Sequence, residues 1–186
     1  MALTKLNNNS LHAITDGSAL KNATGTILQT KYTQVSAGSS HESSSNLSST
    51  IVTPLSVTIT PSTTSSIIRL SAMVSGEWSA AGPAWDSTWF FMRDSTKLSC
   101  PADGSRNVGI LMGTSICFTG SDVASTPEQA YYSYVDSPSS TSAITYKVAF
   151  AENGTRTWFL NRTFTNSDAA GMERGISFIM AQEIAG

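Results

Sequence analysis

The sequence predicts an all-β protein, a two-sheet antiparallel sandwich of jelly-roll type with an extended N-terminal arm. Three observations carry this. Short apolar stretches alternating with a period of two recur along the chain. Clusters of Gly, Pro, Ser and Asn separate them. Of 186 residues, 40% are hydrophobic and only 13% are charged, so that Ser, Thr and Gly make most of the polar surface, a balance that favours strands and turns over solvated helices. The length suits one domain plus a short extension, enough to bury about two-thirds of the surface of the unfolded chain.

Residues 1–24 hold few apolar positions, with Leu11, Ala13 and Ile14 scattered among Asn, Ser, Thr and Gly. Such a segment has no core of its own and orders only against a partner, so it is assigned as an anchoring arm. Residues 25–186 form the sandwich. Residues 26–35 make the first strand, and the Ser/Gly-rich tract 36–49 has the composition of a long loop. Leu55, Val57 and Ile59 alternate with hydroxyl residues, as a half-buried strand requires. A turn at Pro61-Ser62-Thr63-Thr64-Ser65 follows, then Ile68, Leu70, Ala72 and Val74 on one face of the next strand. These two strands form either a hairpin or a sheet-to-sheet crossover. Core strands are predicted at 88–93 and 109–112, and further strands at 115–119 and 130–135. Tyr146, Val148 and Phe150 share a face of a strand over 145–150. The turn Glu152-Asn153-Gly154-Thr155 carries an Asn-Gly hairpin signal into a strand over 157–164. The last strand, 176–184, places Ile176, Phe178, Met180 and Ile184 on one face, which is expected to be buried. No period of 20 to 50 residues repeats, which argues against propellers and solenoids.

The chemistry visible in the sequence is sparse. A formal net charge of -2 and a pI of about 5.6 supply no basic field for nucleic acid or for an anionic membrane. No stretch approaches the roughly 20 apolar residues of a membrane span, and MALTKLNNNS lacks a signal-peptide core, so the chain is expected to be made in the cytoplasm. Cys100 and Cys117 could pair across a hairpin, but buried free thiols are the simpler reading, and their spacing suits no zinc site. No metal site or cofactor is expected. The two histidines, His12 and His41, fall in the arm and in the Ser-rich loop, poor positions for a rigid general base. Neither a G-x-S-x-G elbow, an H-E-x-x-H helix nor a phosphate loop occurs. Glu77, Asp86, Asp94, Asp103 and Asp122 could in principle supply a glycosidase pair, but solvated loop acids are the default. No catalytic residue is assigned.

The most unusual segment runs Gly76-Glu77-Trp78-Ser79-Ala80-Ala81-Gly82-Pro83-Ala84-Trp85-Asp86-Ser87-Thr88-Trp89. Indole faces beside carboxylates are a common way to hold a sugar, which makes Trp78, Trp85, Asp86 and Trp89 the candidate receptor-binding residues. The competing reading places Trp85 and Trp89 over the core or at a subunit interface, and it is the favoured one. Tyr131, Tyr132 and Tyr134 divide the same way, with sheet and interface filling first.

Five segments in order carry a family resemblance. They are Gly25-Thr26-Ile27-Leu28-Gln29; Leu55-Ser56-Val57-Thr58-Ile59-Thr60-Pro61-Ser62-Thr63-Thr64-Ser65-Ser66-Ile67-Ile68; Asp136-Ser137-Pro138-Ser139-Ser140-Thr141-Ser142-Ala143-Ile144-Thr145-Tyr146-Lys147-Val148; Leu160-Asn161-Arg162-Thr163; and Met180-Ala181-Gln182-Glu183-Ile184-Ala185-Gly186. Together they resemble a domain widespread in tail-fibre-like and other virion proteins of bacteriophages, especially phages of cyanobacteria and marine bacteria. Ile67 stands where that family usually has lysine, and the Trp-rich segment is outside its pattern. The resemblance implies a trimeric, non-catalytic β-sandwich displayed on the particle, and it brings no catalytic residues.

The expected function is therefore that of a virion structural protein. One form is a short tail fibre or appendage for host attachment, with residues 1–24 docking on other virion proteins and a host surface glycan as ligand. The other is a capsid decoration protein that cements the head; a long repetitive shaft, normal in fibres, is missing from this sequence. A depolymerase is the least expected form, since such tailspikes are usually longer β-helices. Self-association is also expected from an apolar surplus in Tyr131, Tyr132, Trp158, Phe159 and the terminal strand.

Overall fold

The computed structural model describes residues 24–43, 47–79, 86–113 and 125–186. Among these are eleven strands and no helix: β1 (Ile27–Val35), β2 (Ser39–Glu42), β3 (Thr50–Ile59), β4 (Ile67–Trp78), β5 (Thr88–Arg93), β6 (Thr96–Leu98), β7 (Leu111–Met112), β8 (Glu128–Asp136), β9 (Ile144–Ala151), β10 (Thr157–Leu160) and β11 (Ser177–Ile184). They form two antiparallel sheets packed together, a β-sandwich with more strands than the eight of a minimal jelly roll. The first sheet is built on β4. One edge of β4 pairs with β8; the other pairs with β11 along its first half and with β10 at its end. Outside these lie β1 on β11 and β2 on β10. The second sheet has the order β3-β9-β5-β6, with β7 also paired to β5.

Alternation fills the space between the sheets. Ile68, Leu70, Ala72 and Val74 of β4 point inward and meet Leu55, Val57 and Ile59 of β3, Tyr146, Val148 and Phe150 of β9, and Trp89 and Phe91 of β5. Each large apolar side chain buried this way stabilises the fold by about 1.5–3 kcal/mol. The unbroken run Trp89-Phe90-Phe91-Met92 has a different logic. Its alternate residues Phe90 and Met92 point to the far side of the second sheet and form a satellite cluster with Ala149 and Ala151, with the Lys97 ammonium 4.0 Å above the Phe90 ring. A strand covered on both faces needs no polar alternation.

Several sequence expectations are corrected. The tract 36–49 is not wholly loop: it contains β2, which pairs with β10 in the register Trp158 to His41 and Leu160 to Ser39. Its Ser-rich composition is compatible with a strand because the hydroxyl side chains find partners, as in the 2.8 Å contact between Ser39 Oγ and His41 Nε2. The Asn153-Gly154 turn joins no hairpin, since β9 lies in the second sheet and β10 in the first. The crossing is held by Ser43 Oγ, which donates to Gly154 O at 2.7 Å and accepts from Arg156 N at 2.8 Å. Of the two options for 55–60 and 68–74, the crossover is the one found. The 109–112 strand shrinks to two residues. In β11 the buried face is the opposite of the expected one: Ser177, Ile179, Ala181 and Glu183 point inward, while Phe178, Met180 and Ile184 are half-exposed. Tyr132 and Trp158 are core rather than surplus, and Cys100 is exposed rather than buried. Residues 1–23, the strand expected at 115–119 and Cys117 lie outside the described residues.

Two buried polar groups explain why β11 turns that face inward. Asn161, fully buried and in the left-handed region with φ 57°, donates from Nδ2 to Val35 O (2.8 Å) and Ala37 O (3.2 Å) and accepts from Ser177 Oγ (2.5 Å). It ties the ends of β1 and β10 to the start of β11. At the other end Glu183, also fully buried, accepts from Ser62 N (2.7 Å), Ser62 Oγ (2.6 Å), Ser66 Oγ (2.6 Å) and Gln29 Nε2 (2.6 Å). The turn after β3 is thereby fastened to β11 and β1.

Burial alone would raise the Glu183 pKa, but the hydrogen bonds from Ser62, Ser66 and Gln29 outweigh it and hold the carboxyl at about 2, against an ordinary 4.5. A carboxylate with a depressed folded-state pKa stabilises the fold fully above its unfolded pKa and loses that contribution as pH falls towards the folded value. The shift corresponds to about 3 kcal/mol, present at neutral pH and lost between about pH 4.5 and pH 2. Denaturation midpoints of the wild type and Glu183→Gln should therefore differ widely at neutral pH and converge in acid; parallel titration curves would refute the assignment.

Gly76 sits where β4 passes from β11 to β10, and a Cβ there would lie 2.2 Å from Phe159 O and 2.8 Å from the Trp158 ring. Because one of these atoms is backbone, Gly76→Ala should cost about 1–3 kcal/mol, the usual range for overpacking. Thermal melting checks this, and an unchanged midpoint would show that β10 moves aside freely.

Candidate functional site

A cleft lies at the end of the sandwich where β5 begins. It has a volume of about 340 Å³ and is lined by Asp86, Thr88, Ser105, Asn107, Met112 and Asn153, together with Ser87 and Leu47. That volume lies within the range of small-ligand sites.

Its walls are built by backbone requirements. Thr88 Oγ1 donates to Asn107 Oδ1 at 2.9 Å, and Asn107 Nδ2 donates to Asp86 O at 2.6 Å and to Ala151 O at 3.3 Å. One amide thus ties the entry of β5, the end of β9 and the loop after β6. That loop packs closely: a Cβ on Gly109 would lie 2.6 Å from Thr88 Cβ. The opposite rim is the β9–β10 crossing, whose Asn153 Nδ2 donates to Asp86 Oδ2 at 3.3 Å. Leu47 enters from a left-handed position, φ 59°.

The electrostatics are mildly acidic. Next to Asn153, the buried Glu152 is paired with Arg156 at 3.3 Å. Burial pushes its pKa up, Arg156 opposes this, and the nearby Asp86 pushes it up further. Asp86 itself is exposed. A cleft with carboxylate, amide and hydroxyl groups around an exposed Met112 matches the hydroxyl groups and apolar C–H faces of a neutral polyol, and it disfavours anions.

The candidate receptor residues fall in different places. Asp86 is at the cleft, and Trp85 lies outside the described residues. Trp78 and Trp89 are 5% and 0% exposed, so they are not surface stacking platforms. They pack with Trp158 and Phe150 in a cluster whose ring centroids lie 5.0–6.0 Å apart. Packed edge to face or tilted, such rings stabilise one another beyond simple area burial. The cluster forms because the ends of β4, β5 and β10 converge there, placing the Trp78 and Trp158 backbones in direct register.

The remaining candidate acids are occupied elsewhere. Glu77, 2% exposed, accepts from Thr126 N (3.1 Å), Thr126 Oγ1 (2.7 Å) and Phe164 N (2.6 Å), anchoring two loops. Asp94 occupies the tight β5–β6 turn with φ 53° and accepts from Thr145 N at 3.0 Å. Asp103 forms an exposed pair with Arg106 at 2.8 Å, and Asp122 lies outside the described residues. His41 is buried, and burial lowers its pKa against a raising contribution from Ile51.

Asn107, Ser105 and Met112 carry no signal in the sequence as cleft residues, because they reach Asp86 and Thr88 only through pairing of the segment after β6 with β5. Asn153 was legible as a turn residue but not as part of a cleft. No family model matches the chain, and no curated protein matches it.

Trp89→Ala should destabilise the protein by about 3–5 kcal/mol, the cost of deleting a large aromatic from a core. Asp86→Ala should leave stability within about 0.5 kcal/mol, as for an ordinary surface change. Paired denaturant titrations check both, and a mild Trp89→Ala would mean that the cluster is not structural.

Proposed function

We propose that this chain is a non-enzymatic structural protein of a bacteriophage particle, a homotrimer displayed on the virion surface. In its first form it is a short tail fibre or appendage that meets a host surface glycan at the Asp86 cleft. The observation that carries the reading is the division of the sandwich: one end holds an open polar cleft, while a flank leaves Tyr32, Tyr131 and Val135 59–71% exposed. A ligand-facing end and an apolar flank are the features of a displayed module that assembles. The five-segment resemblance to phage virion proteins supports the same reading, with residues 1–24 as the arm that docks on other virion proteins.

A second reading, a capsid decoration protein that cements the head, gains from the burial of Trp78 and Trp89. With those rings in the core, two of the three tryptophans among the candidate receptor residues are no longer available for a sugar.

Antibody labelling of intact particles, imaged by electron microscopy, tests both. Label on the tail supports the appendage and label on the head the cement, while particles that carry none overturn the virion assignment. For the appendage, Asp86→Ala should reduce adsorption of particles to host cells several-fold, since a modest-affinity site loses about 1 kcal/mol with one polar contact. Unchanged adsorption would leave the cement as the surviving form.

A further inference from the structure

Building on that assembling reading, we propose that the outer face of the first sheet formed by β8, β4, β11 and β1, which no described segment covers, is where copies of this chain meet one another.

Strand registers define the face. Tyr131, Met73, Phe178 and Gln34 lie side by side in one row. The next row is Ser133, Ser71, Met180 and Tyr32, and the one after it Val135, Arg69, Gln182 and Thr30. Ile67, Ile184 and Ile27 close the lower end. All of these alternate with the inward residues of their strands, so they share one surface. Tyr32, Val135, Tyr131 and Ile27 are 71%, 60%, 59% and 53% exposed, and Phe178 and Met180 are half-exposed between them.

Higher on the same sheet the outer face is covered. Phe159 is packed under Phe164 with ring centroids 5.4 Å apart, Arg162 lies 4.2 Å over its ring, and Glu77 pins the 161–176 and 125–127 loops. The second sheet covers its own outward Phe90 and Met92 in a satellite cluster. The lower part of the first sheet presents aromatic, thioether and branched side chains side by side with no described segment over them, whereas Met112 and Ile176 are exposed singly elsewhere.

The composition of the face selects a second copy as its occupant. Across its rows Arg69 is the one charged residue, so it offers nothing to steer a charged partner. Two identical faces laid together oppose almost no like charges. Tyr and Met enrichment with depletion of charge is the pattern of an interface centre. The area also fits. Four strands about 4.8 Å apart, with about nine residues of rise along β4, span roughly 20 by 28 Å, or about 550 Å² per copy. Any two copies then bring about 1,100 Å² of this face together, just above the 1,000 Å² or so that a specific interface has to clear. Sheets stacked in this way pack about 10 Å apart, close enough for the tyrosines to interdigitate.

Light scattering of the full chain at micromolar concentration, alongside Tyr131→Glu and Tyr32→Glu, tests the proposal. Both tyrosines are exposed, so the variants should keep the wild-type circular dichroism, and their melting midpoint should fall only by the stabilisation that association supplied. The wild type should show a multiple of 19.7 kDa, and each variant should raise the dissociation constant at least tenfold, bringing the mass towards that of one chain. A wild type of 19.7 kDa, or folded variants that keep the wild-type mass, would overturn the assignment. Particle labelling fails or succeeds independently: an oligomer that these variants break but that is missing from particles sinks the virion reading and leaves the face assigned.

Discussion

A single strand edge organises this sandwich. β4 is twelve residues long, and one of its edges has to serve β11 and then β10, while its other edge is taken by β8. Two strands can share an edge end to end only if neither the side chains nor the backbone collide at the changeover. Gly76 removes the side chain there, and Asn161, in a left-handed conformation that Asn tolerates, turns the chain away from β10 directly beside it. Asn161 N donates to Ser75 O at 2.8 Å, so the turn is bonded to β4 at the changeover itself. From this arrangement follow the convergence of Trp78 with Trp158, the attachment of β2, and the entry of β11 with Ser177 inward.

The buried acids act on the same scale. In a chain with few charges, Glu183, Glu77, Asp136 and Glu152 are all buried; the first three are held by partners well separated in the sequence, and Glu152 by Arg156 four residues on. Asp136 accepts from Tyr146 Oη at 2.6 Å and from Arg93 at 3.0 Å, joining β8 of one sheet to β5 and β9 of the other. Tyr146 keeps its proton to high pH because it is buried, and because it donates to that carboxylate. A buried carboxylate is tolerable only when donors replace its lost water, and that requirement fixes loops and crossovers that apolar packing would leave free to slide.

The fold class and most strand positions were legible in the sequence because alternation of apolar residues is a local property. The inward faces of β3, β4 and β9 follow directly from it. β11 was read backwards for an instructive reason: Phe178, Met180 and Ile184 are more hydrophobic than Ser177, Ala181 and Glu183, yet the latter point inward with Ile179. Ser177 is claimed by Asn161 and Glu183 by the hydroxyls of Ser62 and Ser66. Those partners lie 16 to 121 residues away, beyond any pattern within the strand. The Asn153-Gly154 turn failed in the same way, since a turn motif specifies a reversal but not whether the returning strand joins the same sheet. At the cleft only Asp86 was anticipated, and Asn107 and Met112 arrive through pairing of the loop after β6 with β5.

The reversal of β11 bears on what the outside of the protein is for. A lone strand with Phe178, Met180 and Ile184 outward is a solubility liability, and the same composition could have been reversed by exchanging two or three residues. Here Met73, Tyr131, Tyr32 and Val135 on the neighbouring strands extend that surface instead of screening it. The neutral side chains between them, Ser71, Ser133 and Gln182, keep it from becoming greasy while adding no charge. Edge and face protection in single-copy β-proteins commonly uses lysine or other charges, and the one charge on this face is Arg69. Across four strands these side chains thus form one continuous surface with a single charge, and the proposed contact between copies rests on that continuity.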